Sequence, residues 1–171
     1  MKVGILAGAA MLLIGAPLCA QQDLSDAQIA HIAYTAGQLD LEAGEDALPR
    51  LQDPDVRAFA ETMIRDHRAV NDLALALVNR LGVTPEGNAT SESLTAEARK
   101  TADRLRTLQG ADFDRAYIAN EAAFHKTVNG ALSSLLIPSA ENPELKALLE
   151  RGLRVFEAHQ VHAEELARAT P

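Results

Sequence analysis

From Ser25 onward the chain repeats apolar residues at intervals of three and four, the spacing that lays one stripe along an α-helix. Runs of alternating β-branched residues, the mark of strands, are absent. Four long helices and one shorter one are predicted. Helix A opens at a capping box, Ser25-x-x-Gln28, and runs to about Leu48, where Pro49 stops it. Its stripe reads Ile29, Ile32, Ala36, Leu39 and Ala43. Helix B starts with Asp53 as N-cap and Pro54 as its first residue, where proline's missing N–H is no loss. Val56, Phe59, Met63, His67, Val70, Ala74, Leu77 and Leu81 form its stripe, and Gly82 ends it. Turn formers follow to Ser91, then a shorter helix from about Leu94 to Leu108, closed by Gly110.

Helix C is expected from Asp112 to Pro138, with Asp112 and Asp114 in a first turn whose dipole favours negative charge. Its stripe is Phe113, Tyr117, Asn120, Phe124, Val128, Ala131 and Leu135. Helix D opens on Asn142-Pro143, repeating the start of helix B, and carries Leu145, Leu148, Gly152, Val155, His159, His162 and Leu166. Two tight hairpins joined by one long helical crossover is the connectivity of an all-α, ferritin-like four-helix bundle. A plain up-down bundle with a helical loop is the alternative. Asp53-Pro-Asp-Val-Arg-Ala-Phe59 and Asn142-Pro-Glu-Leu-Lys-Ala-Leu148 match in chemical type throughout, which hints at a duplicated hairpin.

The first twenty residues add a compartment. Lys2, the uncharged apolar run Val3 to Leu18 and the small Ala20 have the layout of a secretory signal peptide, too short for a bilayer span of roughly 20 residues. Cleavage after Ala20 leaves a single domain, 21–171, expected in the periplasm. Leu18 before Cys19 does not fit a lipoprotein signal, and losing Cys19 leaves a mature chain without cysteine. The fold must therefore hold by its core, not by disulfides. The formal net charge of −8 becomes −9 without Lys2, which argues against nucleic acid or anionic lipid as partner. No later stretch is apolar enough to span a membrane.

Histidine placement is the main chemical signal. His67, His125, His159 and His162 fall on or beside the stripes, and Glu121 stands one turn before His125. Pairing helices C and D about their loop sets Glu121 level with His159; Glu42 is set level with Glu61. Imidazoles and carboxylates converging inside a bundle are what a first-row metal requires, iron, copper, zinc or manganese being the choices. The candidate ligands are Glu42, His67, Glu121, His125, His159 and His162, with a surface site at His159-x-x-His162 as a variant. The bland alternative makes each histidine a buried hydrogen-bonding group with a neighbour such as Asp66 or Glu121. A di-iron oxidase is disfavoured, because its Glu-x-x-His motif would place glutamate three residues before a histidine. Gln28, Ile64, Ala122, Phe156 and His159 stand there instead.

Several local runs resemble one family of bacterial exported proteins. They are Glu42-x-Gly44-x-x-Ala47, Asp53 to Ala60, Met63-Ile-Arg-Asp-His67, Gly110 to Tyr117, His125, and Glu157-Ala-His-Gln-Val-His-Ala-Glu-Glu-Leu166. The family is known as domain of unknown function 4142 and is often labelled an outer membrane protein. The resemblance covers about residues 25 to 168 and implies a ferritin-like bundle without an established activity. The label fits poorly, since an outer-membrane barrel needs alternating strands.

The function expected is a periplasmic helical-bundle protein, an envelope stress or interaction module with a protein partner or a second copy of itself. The alternative is a metal-binding or metal-buffering protein. An enzyme is not expected, and a metal-dependent redox enzyme stands third.

Overall fold

The structure is a computed structural model that describes residues 24–170; the segment read as a signal peptide, Lys2 and Cys19 included, lies outside them. Six α-helices follow in order: α1 (Asp26–Ala47), α2 (Pro54–Leu81), α3 (Ala89–Arg106), α4 (Gly110–Ala131), α5 (Ile137–Ser139) and α6 (Pro143–Ala169). A π-helical turn, Leu132–Leu136, joins α4 to α5. Among the described residues there is no strand, and no helix is long and apolar enough to cross a membrane.

The helix ends follow the expected chemistry. Ser25 and Gln28 form the reciprocal capping box of α1. Asp53 caps α2 through Asp55 N and Val56 N, and Asn142 caps α6 in the same way through Glu144 N and Leu145 N. Gly82 closes α2 in the left-handed region at φ 65°. The crossover helix differs: it starts at Ala89, because Asn88 accepts from Thr90 N and Ser91 N and the Ser91 hydroxyl takes Asn88 N. That box lies inside the stretch read as turn. α4 begins at Gly110, not at Asp112, so Asp114 is not at the helix dipole. Its buried carboxylate accepts from Gln52 N and from Asp53 N at 2.6 Å, tying the α1–α2 turn to α4. The π turn precedes Pro138, which has no N–H to continue the ladder, and Ser133 and Ser134 donate to Asn129 O and Gly130 O there.

α1 pairs with α2, α4 pairs with α6, and α2 packs on α6. α3 is the crossover, lying along α1 between the two hairpins. This is the ferritin-like four-helix bundle with a long helical crossover. Two apolar clusters fill it. One, around Ile29, Leu77, Leu132, Leu145 and Phe156, lies towards the α4–α6 turn. The other, around Val56, Phe59, Met63, Phe113 and Tyr117, lies towards the α1–α2 turn. Between them the interior is polar.

Gly37 and Gly44 let α1 sit close to α2. A Cβ on Gly37 would stand 2.4 Å from Asn71 Oδ1, and one on Gly44 would stand 3.0 Å from Ile64 Cγ1. The residue between these two contacts is Asp40, turned inward and 2% exposed. Read from sequence, the inner stripe of α1 passes through Leu39 and Ala43; in the structure both are only partly buried, and Asp40, Gly44 and Ala47 take the inner face.

Candidate metal centre

Three imidazoles meet between the apolar clusters. His67 on α2, His125 on α4 and His159 on α6 form a nearly equilateral triangle, each pair of ring centroids 5.5 Å apart. None is more than 6% exposed. Each offers a ligand atom within 4.8 Å of the others, and Asp40, Glu121 and His125 form a second such set. His125 belongs to both, so three imidazoles and two carboxyl groups from four helices make one cluster.

Hydrogen bonds at the rim settle two tautomers. His125 Nδ1 lies 3.0 Å from the Glu121 carbonyl oxygen, which can only accept. Nδ1 therefore carries the proton, and Nε2 is left as a buried lone pair without a partner. His159 Nε2 lies 3.1 Å from Asp66 Oδ2, and Asp66 is held below the usual carboxylate range chiefly by the Arg65 guanidinium. Asp66 thus accepts, Nε2 carries the proton, and His159 Nδ1 is the buried lone pair. A carboxylate or backbone carbonyl fixing the far nitrogen of an imidazole is the usual outer support of a metal ligand.

The carboxyl groups divide one charge. Asp40 Oδ2 is 2.6 Å from His67 Nε2 and 3.7 Å from His125 Nε2. At 2.6 Å the Asp40–His67 contact is a close, buried carboxylate–imidazole pair. Burial pushes Asp40 up, but the charge of His67 and then of His125 outweighs it and holds Asp40 well below the usual range. Burial and the neighbouring Asp40 push Glu121 well above the usual range. Of the two, Asp40 gives up its proton the more readily and Glu121 holds its proton the more tightly. Desolvation also pushes His125 down, against the pull of Asp40, and pushes His159 down to about 4. These two imidazoles are neutral at pH 7, the form that ligates a metal.

The surroundings are apolar on one side. Phe156 stacks on His67 with centroids 4.5 Å apart and planes within 3°. A cavity of about 50 Å³ adjoins His67 and His125, lined mostly by aliphatic residues. Tyr117, fully buried, has an unpartnered hydroxyl and is pushed well up by burial, then by Glu121 and Asp40.

His67, Glu121, His125 and His159 therefore come together. Glu42 and His162 do not. Glu42 is exposed and accepts from Gln38 Nε2 at 2.9 Å. Glu61, its expected neighbour, pairs on the surface with Arg57. His162 is exposed with its ring edge against Phe59, and Ala163 takes the buried place, so no His159-x-x-His162 surface pair forms. The cause is the same in both: one residue turns a helix by about 100°, and the inner faces of α1 and α6 lie one residue away from the projected ones. Asp40 was absent from the sequence-based ligand set. A carboxylate flanked by Gly37 and Gly44 was the signal that could have found it. His31 is half-buried, with Thr35 Oγ1 near its Nδ1.

No curated protein matches the sequence. A solved structure does resemble the fold: the crystal structure of a DUF305 fragment from Deinococcus radiodurans, with a TM-score of 0.71 at 17% identity, over 84% of this chain and 95% of that one. At that identity the likeness speaks for the fold alone. Residues 15–166 match the family described as "Domain of unknown function (DUF4142)", nearly the whole length. The chain belongs to that family.

Proposed function

We propose that this protein is an exported metal-binding protein of the periplasm, holding a first-row divalent metal among His67, His125, His159, Asp40 and Glu121. The single observation behind this reading is the set of unpartnered polar atoms in the cluster. His125 Nε2, His159 Nδ1, His67 Nδ1 and both Glu121 oxygens are buried without a hydrogen bond, and Asp40 Oδ2 and His67 Nε2 have only each other within 3 Å. Each buried polar atom left unpaired costs about 1–3 kcal/mol, far more than a layer kept only to set helix register would tolerate. A cation satisfies them together, and nitrogen with carboxylate oxygen suits iron, copper, zinc or manganese.

Deep burial favours holding a metal over turning over a substrate, so buffering or delivery is the activity we assign. The dinuclear carboxylate chemistry of ferritin-like oxidases has no support in this donor set, which lacks the paired Glu-x-x-His motifs.

Thermal unfolding of chelator-treated protein tests the reading. A metal that binds only the folded state adds about 2.7 kcal/mol at a hundredfold excess over Kd. Melting of the parent is expected to rise with at least one of manganese, iron, copper or zinc, and melting of His125→Ala to stay put. Equal responses in parent and variant would assign the metal to some other site.

A further inference from the structure

The crossover helix leaves a wide space beneath it. α3 is buried only at Ser91, in its first turn, and Leu105, in its last. Between them its inner face carries Thr95, Ala98, Thr101 and Ala102, short side chains that roof a cleft of about 1590 Å³. α1 and α4 form the other walls. Asp40 and Glu121 belong to those walls, whereas His67 and His125 line the apolar cavity. The centre is thus two-faced, carboxyl groups towards the cleft and imidazoles towards the apolar side. Phe124 borders both spaces, its ring edge-on to His125 at 6.2 Å.

Charge distinguishes the two sides further. Five carboxyl groups and three guanidinium groups line the cleft. Of the three, Arg50 is committed to Leu105 O and Leu108 O at the end of α3 and lies over the Phe113 ring, and Arg106 is paired with Asp103. Glu42 and Asp46, one turn apart on α1, are exposed in the cleft. A hydrated cation entering an apolar cavity would lose its water with nothing to replace it. Along the cleft, where Arg99 is the one remaining guanidinium, it meets the carboxyl groups of Glu42 and Asp46 and then those of Asp40 and Glu121.

We propose that the cleft under α3 is the route by which a divalent cation reaches the centre. Glu42 and Asp46 capture the hydrated ion, Asp40 and Glu121 take it as it sheds water, and the Phe124 ring is the barrier it passes. The route rests on reading the centre as a metal site. It gives Glu42 a role in delivery in place of ligation. The competing route runs along Asp66, a quarter exposed, to His159.

Cobalt(II) is the probe, its visible absorption followed in stopped flow for uptake and in a chelator chase for release. Ala98→Trp sets a bulky ring into the cleft from its roof, on α3 and away from the residues of the centre. Uptake and release are both expected to slow, by about tenfold or more, while Kd holds, because a blocked path changes rates and not the end states. Glu42→Gln with Asp46→Asn, both exposed, should slow uptake at low salt and flatten its salt dependence. A parent that fills while both variants fill at parental rates contradicts the route and leaves the centre standing, pointing to the Asp66 side. A parent that takes up no cobalt contradicts the centre, and the route with it.

Discussion

Glu121 illustrates how far a single side chain is set by its surroundings. Burial and Asp40 make it hold its proton more tightly than a free carboxyl group does, yet a ligating carboxylate must lose that proton. Metal uptake should therefore release that proton from the parent and not from Glu121→Gln, the difference growing as pH falls. Calorimetric titrations in buffers of different ionisation enthalpy count that proton; equal release from both would mean that Glu121 stays protonated and outside the coordination sphere. His159 works in the opposite sense. Its folded value, about 4, lies below the ordinary histidine value, so neutral burial is favourable above pH 6.5 and is lost as pH falls towards 4. The residue scale was also the least legible in the sequence. His67, His125, His159 and Glu121 were found because they sit on or next to an apolar stripe. Asp40 was hidden because a charged residue reads as solvent-facing until the helix rotation is known, and that rotation depends on Gly37 and Gly44 meeting α2.

At the scale of elements, sequence and structure agree best where the determinants are local. Caps at Ser25, Asp53 and Asn142 and the left-handed stop at Gly82 depend on neighbours a few residues away, and each stands where it was read. The early start of α3 was missed because Asn88-x-x-Ser91 caps as well as the commoner Ser/Thr-x-x-Glu pattern and looks like a turn. Face assignments needed partners, so α1, α6 and α4 beyond Tyr117 were each read one residue off. The approach of α1 to α2 has a direct test. Gly37→Ala gains about 1 kcal/mol of helix propensity but sets a Cβ 2.4 Å from the buried Asn71 amide oxygen, and overpacking costs about 1–3 kcal/mol. The net expectation is lower stability in denaturant unfolding together with weaker metal binding, as Asp40 is carried away from His67. A gain in stability at unchanged affinity would show that Asn71 yields freely and that the close approach is not what positions Asp40.

For the whole molecule, two apolar clusters close off the ends of a polar middle layer, and the crossover covers its carboxyl side. The apolar clusters account for how residues 24–170, which include no cysteine, hold their fold. They also remove water from the layer between them, which is why its groups titrate so far from their ordinary values. Such a layer is expensive in a protein that only needs to fold, and useful in one that must hold a cation. The most direct measurement is the metal-to-protein ratio, by mass spectrometry, of untagged protein purified from the periplasm, set beside His67→Ala, His125→Ala and His162→Ala. One equivalent of metal or close to it in the parent and in His162→Ala, and none in the other two, is the result predicted. Metal-free parent protein that also fails to load from solution, or metal lost on changing His162 and kept on changing His125, would contradict the centre described.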